Sequence, residues 1–583
     1  MTESTPLSAH AEAVVASRPE VLVEVLRALA AAVPEDRRAL VRARIDAAVA
    51  STEPEFTVEL YPGLDDEDPG REVVAEAEAL SKRLEDGHYF RELGWDEEVQ
   101  HERAFGDESW ARELDDFFAR AATTYLSGND ILASHLYARL LGIFRFEGRP
   151  GVFCGAERPQ EMVETNLAVA KRRYLRAVYR TTRPDMRPRR LLSDIISFRD
   201  IGESDLLLRD IAFDTSDGDM PLDDIDAFLV DWVRWLDAVE REPPAVARDI
   251  RRLLREAVTL QSGVDGLGQL ARREGPSHPE AWHDWVGALI RSGRDTDAVK
   301  AARDGLVVLA DASYKARLGD RLAALALRRG EPSLAIEASR AAFRAHPTEV
   351  RLLQLVSGAD AAGERDQVLD REAGEVTRPT FAHGDALAAR VLLLAGRVEE
   401  AVTRFQRSDA IGWGRPDHAG SIVLPFLLVA GTVLDGPPPG TALARLWEDL
   451  DTPARTYFDR RLLLDQMSAE DGVEPEHRAY SVLLAEALAQ HRPAESQRSR
   501  LLQLAQVKVE TAARDILQSH HRRGHAVAAL LTVAMAEALV VARGPEVGES
   551  FLRSARRPYP RDSAYRKGLD ALTVRSPLLK PPA

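Results

Sequence analysis

The chain has 583 residues and a formal net charge of −17; 45% of its residues are hydrophobic and 29% are charged. This length predicts either several domains of about 100–200 residues or a repeat protein that grows by stacking. The acidic balance argues against general nucleic-acid binding, which depends on a basic surface. The single cysteine excludes an intrachain disulfide framework and a zinc site built from cysteines.

Residues 1–52 predict N-terminal helices, with two short helices over 19–50 that Pro34 separates. They lack a basic segment followed by a sustained apolar core, so we expect no signal peptide and a cytoplasmic location. The next stretch, EPEFTVELYPGLDDEDPG (53–70), is the clearest irregular segment and is compatible with one short strand.

The remainder of 53–147 predicts helices. In ELDDFFARAATTYLSGNDILASHLYARLL (113–141), Gly128 separates two segments with helical apolar periodicity, and the small Ala133 follows five residues later. Glycine ends a helix at low steric cost, and a small residue lets a second helix pack back on the first. This segment therefore predicts one helix–turn–helix unit.

Residues 148–260 predict a helical region with a loop rich in glycine and proline. The loop EGRPGVFCGAERPQ (147–160) contains Cys154. A thiol acts as a nucleophile when a histidine lies close to it, and the local sequence supplies none. We expect a structural role for Cys154.

A basic island follows in KRRYLRAVYRTTRPDMRPRR (171–190), where only Asp185 opposes nine lysines and arginines. Two interpretations remain open: the arginines pair with acidic segments of the same chain, such as 65–70, or they bind an acidic partner or phosphate. The anion-binding candidates are Arg172, Arg173, Arg176 and Arg180.

The acidic stretch DTSDGDMPLDDID (214–226) does not fit a calcium-binding EF-hand loop, because its glycine is the fifth residue and Ile225 is the twelfth. We expect Asp219, Asp223 and Asp224 to flank or occupy the first turn of the next helix, where carboxylates are favoured. That helix, over 223–240, places an apolar stripe in the core. The stripe consists of Phe228, Trp232, Trp235 and Val239.

Residues 261–434 contain a repeat marked by glycines at 293, 330, 363 and 396, which are 37, 33 and 33 residues apart. A period near 34 in helix-favouring sequence predicts stacked helix–turn–helix units. Small or medium apolar residues stand five positions after and seven positions before each glycine, where the two helices would meet. They are Ala298, Ala335, Val368 and Ala401 after the glycines, and Val286, Ala323, Val356 and Ala389 before them.

This pattern resembles the tetratricopeptide repeat (TPR) family. The best unit is HPEAWHDWVGALIRSGRDTDAVKAARDGLVVLA (278–310), where Trp282 stands at the early aromatic position of the family and Leu289 and Ala302 follow in register. The resemblance implies an all-α fold, a TPR-like α-solenoid, with a groove formed by the first helix of each unit. The Lys and Asn pattern of the family's carboxylate clamp is absent. Carried across by position, the groove is lined by His283, Arg291, Arg317, Asp320, Arg328, Leu353, Ser357 and Arg390.

Residues 435–583 predict further helical repeats after the linker LDGPPPG (434–440), with glycine turns at Gly524 and Gly544. The apolar run at 526–542 contains Glu537 and is slightly short for a membrane span. His521 and His525 have metal-ligand spacing, but Arg522 replaces the glutamate of an H-E-x-x-H motif, so we expect a helix terminus there. This tail also resembles the helical region of bacterial SWIM zinc-finger proteins, without the cysteine ligands of their zinc finger.

These features favour a non-enzymatic scaffold or adaptor that binds a protein segment, and the four groove arginines favour an acidic one. The alternatives are an enzyme built around the Cys154 loop and a regulator that binds nucleic acid or phosphate through 171–190. We expect no metal, no organic cofactor and no membrane partner.

Overall fold

The computed structural model describes residues 70–96, 101–106, 109–146, 153, 158–202, 207–213, 219, 221–239, 244–378, 384–407, 418–451, 478–518, 524–559 and 563–579. These residues form 23 α-helices, a few short 3-10 turns and one two-stranded sheet. The predicted all-α solenoid class is confirmed. The chain divides into two compact units, Met1–Leu270 and Ala271–Ala583.

The described residues of the first unit form seven complete helices and a hairpin. They are α1 (Gly70–Glu85), β1 (Phe90–Asp96), β2 (His101–Gly106), α2 (Ser109–Leu126), α3 (Asp130–Ile143), α4 (Leu167–Thr181), α5 (Arg187–Ser197), α6 (Leu208–Phe213) and α7 (Ile225–Ala238). A longer helix follows, α8 (Pro244–Glu274), which is interrupted at Gly263, where φ is 65° and ψ is −162°.

The hairpin corrects the sequence prediction, which placed only helices between 71 and 147. Strands β1 and β2 are antiparallel, with Leu93 opposite Ala104 and Asp96 opposite His101. The segment 53–70, whose sequence is compatible with one short strand, lies outside the described residues apart from Gly70, which begins α1.

The predicted turn at Gly128 is present between α2 and α3. Gly128 has a φ of 86°, and the Asn129 backbone N–H donates to the Thr124 carbonyl at 3.2 Å. The Asn129 side chain then accepts from the Leu132 N–H and begins α3. Ala133 is fully buried, as expected for a residue between two packed helices.

The described part of the second unit contains fifteen further helices. They are α9 (Glu280–Arg291), α10 (Asp295–Val308), α11 (Ala312–Arg328), α12 (Pro332–Ala345), α13 (Glu349–Ala362), α14 (Arg365–Val376), α15 (Asp385–Leu394), α16 (Val398–Gln406), α17 (Gly420–Ala430), α18 (Ala442–Glu448), α19 (Tyr480–Gln490), α20 (Glu495–Gln518), α21 (Gly524–Arg543), α22 (Pro545–Arg556) and α23 (Ser563–Arg575). No strand occurs in the described part of 278–413, as the repeat prediction required.

Helices α9 to α16 form four consecutive pairs, and the turn inside each pair has the same geometry. Gly293, Gly330, Gly363 and Gly396 have φ values of 71°, 69°, 72° and 70°. After each glycine, the next backbone N–H donates to a carbonyl five residues earlier, as from Arg294 to Leu289 at 2.9 Å. This is the Schellman motif, which needs a left-handed residue at the glycine position. The residues predicted to pack between the paired helices are all buried.

Ion pairs also connect the second helices of successive pairs. Arg303 on α10 binds Glu337 on α12 at 2.9 Å. Arg340 and Arg344 on α12 both bind the buried carboxylate of Glu372 on α14, each at 2.9 Å. Each pair therefore contacts the next pair through charged side chains as well as through apolar packing.

Helix α21 lies in the core of the second unit, and Glu537 in its interior is fully buried. The Glu537 carboxylate accepts the backbone N–H groups of Ala442 and Leu443 at 3.1 and 2.8 Å, at the start of α18. By length and composition α21 is apolar enough to cross a membrane, but 67% of its apolar window is buried by the rest of the protein. It has the properties of a core helix.

The predicted glycine turns of the C-terminal region are correct in one case of two. Gly544 has a φ of 99° and connects α21 to α22. Gly524 is instead the first residue of α21. The segment 434–440 is non-helical, as expected, and lies between α17 and α18 inside the second unit.

Candidate binding surface

We define the first-helix face as the surface that α9, α11, α13 and α15 present, because the predicted groove residues all lie on these helices. Each of the four begins a helix pair, and side chains connect neighbouring members. The contacts between neighbouring first helices differ in burial, and this difference decides which charges stay accessible. The three contacts join α9 to α11, α11 to α13, and α13 to α15.

Contacts between α9 and α11 are centred on His283 and Tyr314. The His283 Nε2 lies 2.9 Å from the Tyr314 carbonyl oxygen, and an Arg321 guanidinium N–H donates to the His283 carbonyl at 2.8 Å. The Tyr314 hydroxyl donates to Glu280 at 2.5 Å. Burial lowers the pKa of His283 to about 4, so its ring is neutral at pH 7. His283 is therefore a packing residue that contributes no positive charge.

Three predicted groove arginines are at least partly accessible on α9 and α11. Arg291 and Arg328 are exposed, and Arg317 is half-buried, with its guanidinium 4.2 Å from the centre of the Tyr314 ring. Tyr314, Arg317, Arg321 and Arg328 are spaced three, four and seven residues apart, which puts them on one stripe of α11. The sequence prediction did not include Arg321, although its spacing from Arg317 would have indicated it.

Asp320, another predicted groove residue, points into the protein. It is bound by Arg351 of α13, whose Nε and one terminal nitrogen lie 3.0 and 2.8 Å from its Oδ2, and both side chains are only 4% exposed. Arg351 also donates to the carbonyl oxygen of His346. Burial raises the pKa of Asp320, and the adjacent guanidinium opposes this rise. Asp320 connects two first helices, and it is not free to contact a ligand.

Arg390 on α15 is also buried, which corrects its predicted place on an open groove. Its guanidinium forms an ion pair with Glu349 of α13 at 3.1 Å, donates to the Leu450 carbonyl, and lies 4.3 Å from the centre of the Tyr480 ring. Leu353 and Ser357 on α13 are half-buried. The accessible positive charge of the face is therefore concentrated on α9 and α11.

In the first unit, the basic island forms internal pairs. The carboxylate of Asp219 is fully buried, and the Nε atoms of Arg172 and Arg173 each lie 3.0 Å from one of its oxygens. Asp219 is thus bound to α4. This corrects the sequence prediction, which placed Asp219 beside or within the first turn of α7. The partner predicted for the island at 65–70 lies almost entirely outside the described residues.

Arg176 and Arg180 complete this cluster. Arg176 is fully buried, and it donates from its Nε to the Tyr125 hydroxyl and from a terminal nitrogen to the Ile211 carbonyl. Arg180 forms an ion pair with Asp130 at 3.1 Å and is the most accessible of the four candidates. For Arg172, Arg173 and Arg176 the structure favours internal pairing over the binding of an external anion.

Two residues singled out in the sequence, Cys154 and His521, lie outside the described residues. Helix α20 ends at Gln518 and α21 begins at Gly524, so His525 occupies the first turn of α21. Within the described ranges, no group of three or more histidine, cysteine, aspartate or glutamate residues is arranged to hold a metal ion.

Comparisons with known proteins add little to this description. No family model matches the chain, and no curated protein matches it. One similar solved structure is described as a "Circular tandem repeat protein with novel repeat topology and enhanced subunit contact surfaces". The match covers 87% of this chain and 98% of that one, at 16% sequence identity and a TM-score of 0.15. So low a TM-score supports no structural argument, and the helical-repeat architecture follows from the helix pairs described above.

Proposed function

We propose that this protein is a non-enzymatic scaffold or adaptor, with TPR-like helix pairs, that binds an acidic protein segment on the first-helix face of α9 and α11. The observation that carries the proposal is the charge of that surface. Arg291, Arg317 and Arg328 are accessible there, whereas the acidic Asp320 is buried against Arg351. A surface that presents guanidinium groups and hides a neighbouring carboxylate is complementary to an acidic ligand.

The TPR-like spacing and the turns at the four repeat glycines support the scaffold part of the proposal, because stacked helix pairs commonly present one layer of helices to a ligand. We place the protein in the cytoplasm, without a membrane partner, on the basis of its sequence. The similarity of the C-terminal tail to SWIM zinc-finger proteins adds no further activity to the proposal.

The test is the binding of a fluorescently labelled oligoglutamate peptide, measured by anisotropy at low and physiological salt. The variant Arg317→Glu with Arg328→Glu reverses two charges on the first-helix face. Truncating a desolvated charged contact typically costs about 2–5 kcal/mol, so we expect at least a roughly tenfold loss of affinity. Its fold should persist, because Arg328 is exposed and exposed charges contribute little to stability, and the half-buried Arg317 forms no ion pair within the described residues.

The matched control is Lys300→Glu with Arg371→Glu. Both residues are exposed on second helices, α10 and α14, and the double change alters the net charge by the same amount. Equal weakening by both variants would show that the peptide senses only the total charge. Unchanged binding by the first-helix variant would show that this face is not the binding surface.

A further inference from the structure

One glycine of the repeat array lies in a helix interior rather than in a turn. Gly287 is in the middle of α9, and it is buried. Glycine in a helix interior is unfavourable relative to alanine, since it loses more conformational freedom on folding. Its presence therefore needs a local reason.

The reason is the approach of two guanidinium groups. A Cβ atom at position 287 would lie 3.0 Å from a terminal nitrogen of Arg321 and 3.3 Å from one of Arg291. Both contacts are tighter than ordinary van der Waals packing. Two positively charged groups, one from α9 and one from α11, thus converge on the same point of the backbone.

Arg321 is held in this position by a hydrogen bond that it donates to the carbonyl of His283, one turn before Gly287 on α9. Arg291 is exposed, and it has no hydrogen bond or ion pair within the described part of the chain. Arg317 lies one turn from Arg321 on α11 and stacks on Tyr314, and its buried Nε has no hydrogen-bond partner among the described residues. Of the three guanidinium groups, that of Arg321 is fixed by its hydrogen bond, whereas those of Arg291 and Arg317 retain N–H donors for a ligand.

The nearby carboxylate of Glu280 accepts the Tyr314 hydroxyl. Arg291 and Arg317 form no ion pair within the described residues. Like charges brought together in this way are stabilised by an oxyanion placed between them, and a guanidinium fork suits a carboxylate.

We propose that the backbone at Gly287, with Arg291, Arg317 and Arg321, forms an anchor for one carboxylate side chain of the acidic segment. This inference rests on the proposed function and specifies where on the first-helix face the ligand is held. Gly287 acts as a positioning residue, since the absence of a side chain lets the two guanidinium groups lie against α9.

The variants Gly287→Ala and Gly287→Leu test the anchor in a graded way. Alanine displaces the guanidinium groups slightly, and leucine occupies the space that they use. We expect oligoglutamate affinity to fall modestly for alanine and at least about tenfold for leucine. The melting temperature of the alanine variant should stay level or rise, because alanine is the better helix former. A purely structural role for Gly287 would give the opposite pattern, with lower stability and unchanged affinity.

Arg291→Gln should fold like the parent protein, because it removes an exposed charge without adding bulk. Loss of affinity in this variant and in Gly287→Leu supports the anchor. Parent-like affinity in both variants overturns it, and the proposed function then survives only if charge reversal at Arg317 and Arg328 still weakens binding. Inorganic phosphate is the second probe: saturable phosphate binding without oligoglutamate binding would show a site for a small free ion and would overturn the acidic-segment interpretation.

Discussion

The buried pair of Asp320 and Arg351 makes a quantitative prediction about how the first helices are held together. The pair joins α11 to α13, and both side chains are only 4% exposed. Asp320→Ala leaves the Arg351 guanidinium buried, with hydrogen bonds only to His346 among the described residues. Removing one partner of a buried pair typically costs about 3–5 kcal/mol, because the remaining charge is left without compensation. We expect a loss of this size in urea unfolding followed by circular dichroism, or in amide exchange of α11 and α13 if the array unfolds locally.

An exposed ion pair of the same array is the control. Arg303 and Glu337 lie 2.9 Å apart, and their side chains are 51% and 60% exposed. Glu337→Gln should therefore cost no more than about 1 kcal/mol. The double variant Asp320→Leu with Arg351→Met should recover most of the stability, because an apolar pair can replace a buried ion pair at little cost. The reasoning is refuted if Asp320→Ala and Glu337→Gln lower stability equally.

Two further predictions concern packing and pH. Ala335→Trp should lower the free energy of unfolding by about 1–3 kcal/mol or more in urea, because Ala335 is only 1% exposed in the core of its helix pair. The control Ser333→Trp, on the exposed side of the same helix, should be close to neutral. Equal effects of the two changes would mean that Ala335 does not pack between the helices. The folded-state pKa of about 4 for His283 and for His135, each lowered mainly by burial from 6.5, means that the unfolded chain binds protons first as the pH falls. The free energy of unfolding should therefore decrease as the pH falls from about 6.5 toward 4, by at most about 2 kcal/mol per histidine at pH 5. In urea titrations at pH 7.5 and 5, His283→Gln should remove the contribution of His283 to this decrease. An unchanged pH dependence in that variant would contradict the buried neutral ring.

The turns and pair interfaces could be predicted from the sequence because their determinants are local. A glycine in a left-handed conformation and a small residue five positions later are both visible within one unit, as at Gly330 and Ala335. The β1–β2 hairpin gave no such signal. Its connection, at 97–100, reads EEVQ and contains none of the glycine or asparagine residues that mark two-residue hairpin turns.

The accessible surface was harder to predict, because the burial of an arginine depends on a residue from the next unit. Arg351 and Asp320 are 31 residues apart in sequence. Arg390 and Arg328 look alike as arginines on first helices, yet Arg390 is buried against a carboxylate and an aromatic ring, whereas Arg328 is exposed. The basic island shows the same limitation: Asp219 lies well beyond α4 in sequence, and only the fold shows that it receives two of the arginines.

The distribution of paired charges in the array bears on where binding takes place. On the second helices, Arg303, Arg340 and Arg344 are matched by Glu337 and Glu372. On the first helices, Arg351 and Arg390 are matched by Asp320 and Glu349, and both arginines are buried. Arg291 and Arg317 have no ion pair within the described residues, and both belong to the first two helix pairs. If binding follows accessible positive charge, specificity is decided at α9 and α11, whereas α13 and α15 serve mainly to hold these helices in register. A partner would then be selected by one acidic cluster rather than by a long charged stretch.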